Sequence, residues 1–194
     1  ASGEQLEEGN VPAMGKRAGF VPDVVTAGLL TTVTVYAVDN SYNWDTSTTA
    51  LVQVSFVLGA PAYHDPYATA LVPALNLAGG TTAYQIILRT GESKLSRVTA
   101  YSTTNNLASG ETQDIPVIPA TVAKLQLLVQ GETAAPGKPP YDYGLTTGGK
   151  DGAPAVWTAG LDSDVTVRFV DEFWNLVPGF TGDVRLLSQD PKDD

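Results

Sequence analysis

The sequence predicts an all-β chain, built as antiparallel β-sandwiches in tandem with the second one incomplete. Three observations predict it. A block of sequence recurs, short apolar–polar alternations fill both copies, and Gly, Pro, Asn and Asp stand at the junctions between them. Residues 22–54 (PDVVTAGLLTTVTVYAVDNSYNWDTSTTALVQV) answer residues 154–186 (PAVWTAGLDSDVTVRFVDEFWNLVPGFTGDVRL) without a gap, at the 132-residue spacing from Pro22 to Pro154. Thr26-Ala27-Gly28 falls on Thr158-Ala159-Gly160, Val33-Thr34-Val35 on Val165-Thr166-Val167, Val38-Asp39 on Val170-Asp171, Asn43 on Asn175 and Val52 on Val184. Gly3-Glu4 answers Gly131-Glu132, and Asp65-Pro66 answers Asp190-Pro191, at slightly shorter spacings. A repeat of this kind is the first thing to look for in a chain, because it sets the architecture.

Taken in order, residues 1–25 and 131–157 are the same long Gly/Pro-rich loop in the two copies, a cover or a bridge between neighbours. Residues 30–38 alternate, with Thr31, Val33, Val35 and Ala37 on the core face. The second copy repeats this over 162–170, with Val165, Val167 and Phe169 inward. Further strands are expected at 50–58, 83–89, 95–102, 112–118, 123–130 and 182–188, each rich in β-branched residues. Residues 67–76 read as a strand broken by Pro73 or as a helical turn. The alternation places Val33, Val35, Val52, Val54, Ile87 and Val98 in one core, repeated in part by Val165, Val167, Val184 and Leu186. Domain boundaries follow from the period. Residues 1–120 are the first unit and 121–194 the start of the second, whose opening strand is 123–130. Neither sandwich is expected to be complete, so strands from elsewhere should finish them.

Composition narrows the function. With 11 basic and 21 acidic residues the net charge is −10, which repels polyanions and argues against nucleic acid as a partner. No run approaches the length of a membrane span, so no membrane insertion is expected. There is no cysteine, which removes disulfides, zinc ribbons and thiol catalysis. His64 is the one histidine, and His64–Asp65 is the one acid–base pair worth naming; it has no counterpart in the second copy, and a solvated loop histidine is the simpler account. Gly15-Lys16-Arg17 and Gly149-Lys150 lack the strand–GxxxxGK[ST]–helix context of a phosphate loop.

Two groups of residues remain as candidates. Asp39 with Asn43, and Asp171 with Asn175, read as turn chemistry, the side chains accepting from backbone N–H groups. The alternative is a calcium site drawing on Asp39, Asp45, Asp171, Glu172 and Asp183, although no DxDxDG loop is present. Tyr42 and Trp44, and Phe173 and Trp174, lie in the same turn of the two copies. They read as packing residues against a long loop, joined by Trp157, or alternatively as a stacking platform for sugar rings.

The chain resembles a family of bacterial immunoglobulin-like repeats found in tandem in long surface and secreted proteins. The resemblance is carried by Lys124-Leu125, Val129, Gly131-Glu132-Thr133, Pro136-Gly137, the TAG and VTV triplets, Val170-Asp171, Trp174-Asn175, Gly182, Val184, Leu186, Ser188 and Asp190-Pro191. The first copy adds Leu88-Arg89-Thr90-Gly91-Glu92 and Val98-Thr99-Ala100. It departs from the pattern in the extended turn at 57–66 and in Tyr42-Asn43-Trp44. The resemblance implies immunoglobulin-like sandwiches, an extracellular or cell-surface location, no enzymatic activity and no required cofactor. It also implies a structural role in a fibre or surface protein whose partners are neighbouring repeats or identical subunits. An adhesin or carbohydrate-binding module is the alternative, with glycan as its partner.

Overall fold

The computed structural model describes residues 3–92, 94–142 and 147–187. Regular structure among them is strand, apart from two short 3-10 turns at Val11–Ala13 and Pro61–Tyr63. In chain order the strands are β1 (Val25–Thr26), β2 (Leu30–Tyr36), β3 (Leu51–Ser55), β4 (Thr69–Ala70), β5 (Ala74–Asn76), β6 (Thr81–Ile87) and β7 (Lys94–Ser96). They continue with β8 (Thr99–Ser102), β9 (Gly110–Glu111), β10 (Ile115–Ile118), β11 (Lys124–Val129), β12 (Glu132–Ala134), β13 (Lys150–Gly152) and β14 (Val165–Val170). No helix among the described residues is long and apolar enough to cross a membrane.

Two antiparallel sheets form the first unit, in the orders β2-β6-β4 and β5-β3-β8-β9. A third, smaller sheet runs β1-β10-β7, with β1 parallel to β10. Inward residues of the sheets share one core of Val25, Ala27, Tyr84, Ile86, Leu88, Val98, Ile115 and Val117, against which Val33, Val35, Val54 and Leu75 pack. Tyr84 ties the two main sheets together. Its buried hydroxyl donates to the Val52 carbonyl at 2.5 Å and accepts from the Leu75 amide at 3.0 Å. A buried tyrosine needs such partners for its polar tip. The chain crosses from one sheet to the other between β4 and β5, where Pro73 breaks the run, so the strand reading of 67–76 is the one the structure takes.

The second unit has two two-stranded sheets, β11 with β14 and β12 with β13, both antiparallel. The boundary expected at residue 120 falls between β10 and β11.

Five expectations are corrected. Ile86, not Ile87, enters the core, because Thr31 and Val33 stand opposite Ile86 and Tyr84 and so fix which face of β6 is inward. Val52 belongs to a small second cluster with Ala37, Ala50 and Leu77, linked to the main one through Val35. The run 95–102 divides into β7 and β8, and 112–118 shortens to β10 after the separate β9. The strand expected at 182–188 is absent over the described residues 182–187, where Val184 and Leu186 are exposed rather than in a core. Their counterparts in β3 are held between β5 and β8, and no strand lies beside 182–187 among the described residues. Residues 188 and 190–191 lie outside the described residues.

Geometry repeats as the sequence does. The Thr26–Leu29 turn and the Thr158–Leu161 turn close with the same bond, at 3.1 and 3.2 Å, around Gly28 and Gly160, both at φ +82°. Only glycine adopts that conformation at little cost. Val38 bridges to Trp44 as Val170 bridges to Leu176. Asp45 N–H donates to Ala37 at 2.9 Å as Val177 N–H donates to Phe169 at 3.0 Å.

Candidate functional site: the aspartate–asparagine turns

Each turn closes on one carboxylate. Asp39 Oδ1 accepts from the Ser41 and Asn43 amides at 2.8 and 2.9 Å, and Oδ2 accepts from Asn43 Nδ2 at 2.9 Å. Asp171 does the same with Phe173 and Asn175, at 2.8, 2.9 and 2.9 Å. The residue before the asparagine turns left-handed in both, Tyr42 at φ +62° and Trp174 at φ +68°. Three hydrogen bonds hold Asp39 below the ordinary carboxylate range, the Asn43 side chain contributing most.

The two turns differ in what they meet. Asp39 and Asn43 are exposed, while Asp171 and Asn175 are wholly buried at the joint between the units. There Asp171 Oδ2 accepts from the Ala120 amide at 2.9 Å. Asn175 Oδ1 accepts from Gly91 N–H at 2.7 Å, and Asn175 Nδ2 donates to the Arg89 carbonyl at 2.9 Å. Glu92 completes the joint, pairing with Arg168 and accepting from the Leu176 amide at 2.5 Å. Phe173 leans on the first unit's core, in edge contact with Tyr141 at 5.1 Å, and a Cβ at Gly28 would overlap its ring. The turn that closes a strand end thus also couples one unit to the next.

The other aromatics pack within their own unit. Trp174 lies over Gly149 (φ +71°), donates to the Pro140 carbonyl at 2.9 Å and takes the Lys124 amine 3.4 Å from its ring centre. Burial pushes the Lys124 amine below its ordinary value. Tyr42 covers Gly15 (φ +72°) in the same way. Trp44 meets Tyr36 edge-on at 5.4 Å, and both stay about 40% exposed (40% and 39%). Trp157 does not join the contact expected of it. It is 47% exposed on a segment whose residues 151–162 are all exposed, and its counterpart Val25 is a core residue.

The calcium candidates do not converge. No group of three or more His, Asp or Glu side chains placed to hold a metal occurs among the described residues. Asp171 already receives four donors, which fill its acceptor positions. Asp45 caps its own loop, accepting from Ser47 and Thr48, which lowers its pKa to about 2. Glu172 and Asp183 are exposed. Among the described residues the His64 ring reaches only the Gly59 carbonyl, at 3.3 Å. Asp65 is buried and fully engaged by Tyr67, Arg89 and Thr90, pinning the 65–68 turn to the end of β6.

The Gly-Lys pairs dismissed as phosphate loops have a structural task that the sequence reading missed. Lys16 pairs with Glu4 at 2.9 Å and Lys150 with Glu132 at 2.7 Å, so each long loop is clasped at its base. The signal was present in the recurring Gly-Glu and Gly-Lys pairs. No protein-family model matches the chain, and no curated protein matches its sequence.

Proposed function

We propose that this chain is a structural segment of a bacterial extracellular fibre or surface protein built from tandem immunoglobulin-like units. The observation that carries the reading is the joint. A turn that occurs in both copies with the same bonds is, in the second copy, buried and bonded to residues 89–92 and to Ala120 of the first. A buried, hydrogen-bonded joint with an aromatic anchor fixes the angle between neighbours, which is what a spacer needs. The test is immunogold labelling of intact cells that make the protein. Labelling along surface fibres or the cell envelope is expected, and labelling only after permeabilisation overturns it.

A second reading has one observation in its favour. Trp44 and Tyr36 form an exposed aromatic pair, a surface on which a sugar ring can stack. Binding on a glycan array that is lost in Trp44→Ala favours the carbohydrate-binding module.

A further inference from the structure

We propose that the free edge of β2 is a docking site for an antiparallel strand of the β11 type, supplied by another repeat unit. The proposal rests on the tandem reading above and adds to it the edge, the strand and the register.

β2 stands at the end of its sheet, paired with β6 on one side only among the described residues. Ala37 N–H donates to Gly80 at 2.8 Å on the β6 side. Antiparallel alternation from that point turns the amides of Thr32, Thr34 and Tyr36 to the free edge. All three residues are exposed. An unpaired edge of this kind is a template for another strand.

The second unit shows what fits there. β14 corresponds to residues 33–38, and its edge equivalent to the free edge of β2 carries β11 in a register that sets Gln126 opposite Arg168 and Val129 opposite Val165. Transferred to β2, that register sets Gln126 opposite Tyr36, Leu128 opposite Thr34, Leu127 opposite Val35 and Val129 opposite Val33. The apolar side of the strand, Leu125, Leu127 and Val129, then lies beside Val33 and Val35, which already pack on the first unit's core. On β14 this side of β11 is uncovered, with Leu125 and Leu127 50% and 45% exposed.

The polar side also finds its receptors. In the second unit Lys124 lies over Trp174 and Gln126 Nε2 donates to the Gly149 carbonyl at 2.7 Å. Tyr42 and Gly15 stand in the corresponding places with matching backbone angles and the same aromatic-on-glycine contact. The strand's lysine falls opposite Val38, next to the exposed carboxylate of Asp39. The occupant is therefore an extended segment, apolar at alternate positions, with a cation at the end that meets the Asp39 turn.

The test uses the whole chain and a synthetic peptide with the sequence of residues 121–131. Amide exchange followed by NMR should slow about tenfold at Thr32, Thr34 and Tyr36, and a scrambled peptide should leave it unchanged. Thr34→Pro removes a free-edge donor without touching the β6 ladder and should abolish the effect. The chain has no cysteine, so register is read directly. Tyr36→Cys should trap a peptide carrying Gln126→Cys, and not one carrying Leu127→Cys. Absent protection overturns the proposal, and so does trapping that ignores peptide register. If Thr34→Pro unfolds β2, the Tyr36→Cys trapping decides alone. Failure of the peptide leaves the cell-surface labelling result standing, and failure of that labelling leaves the peptide result standing.

Discussion

Asparagine 43 and asparagine 175 make the same bonds to their own aspartates, yet one faces water and the other a protein joint. Truncation therefore separates the two roles. Asn175→Ala strips a partner from the buried Gly91 amide and the Arg89 carbonyl, and should cost about 2–3 kcal/mol in urea denaturation. Asn43→Ala leaves its neighbours to water, and should stay within about 0.5 kcal/mol of the parent. Equal effects would mean that the turn alone, and not the joint, sets the energy. The acidic limb tests the same turns by charge. Asp45 titrates near 2 and Asp39 below its ordinary value, held down by hydrogen bonds to the ionised form. Both folded-state values lie below those of the unfolded chain. Their stabilising contribution is therefore complete above the ordinary carboxylate value of 3.8 and is lost as pH falls from there towards 2. NMR should show the Ser47 and Asn43 amides, which donate to these two carboxylates, broadening over that window. Broadening of both amides already complete above pH 3.8 would place the acid-labile group elsewhere.

At the scale of the element, the joint depends on a ring that the first copy lacks. Phe173 corresponds to Ser41, and it adds apolar contact with the first unit's core and with Tyr141. Phe173→Ala should cost about 2–4 kcal/mol, the lower part of the large-to-small range because the ring is only partly buried. The Gly137 amide, which donates to the Phe173 carbonyl at 2.8 Å, should exchange faster in the variant. Unchanged exchange there would show the hydrogen bonds holding the joint without the ring. Strands β2, β11 and β14 were legible in the sequence because their period-two alternation faces a core or a packed loop on one side. Ile86 and Ile87 were not distinguishable, since adjacent isoleucines satisfy either register until Val33 and Thr31 choose. The pattern at 182–188 was that of a strand, but a strand exists only with neighbours, and alternation in one segment says nothing about theirs. The turns themselves were legible as Asp and Asn at fixed spacing. The joint was not, because Asn175 reaches Gly91 across 84 residues of chain.

Across the whole molecule, burial is distributed unevenly, and local stability should follow it. The first unit holds both clusters of buried hydrophobic residues, while residues 151–162 are exposed throughout. That segment makes few backbone bonds outside β13, among them Ala155 to Gln130 and Leu161 to Thr158. Residues 178–187 are likewise exposed and without strand structure. Opening free energy falls towards zero where backbone bonds face solvent and apolar contacts are few. Chymotrypsin under native conditions should therefore cut first near Trp157 and Phe180, both about half exposed at 47% and 46%. Tyr84 and Leu88, buried within the sandwich, should survive until global unfolding. Mass spectrometry of early digests settles the order. Cuts within β6 or β3 at the same rate as at Trp157 would mean that the two units open together, and the uneven burial would then not govern stability. The register of the repeat adds a second expectation. Trp157 stands where Val25 is buried in the first core, so a partner that covers the exposed residues 151–162 should protect the Trp157 site while leaving cleavage within the first unit unchanged.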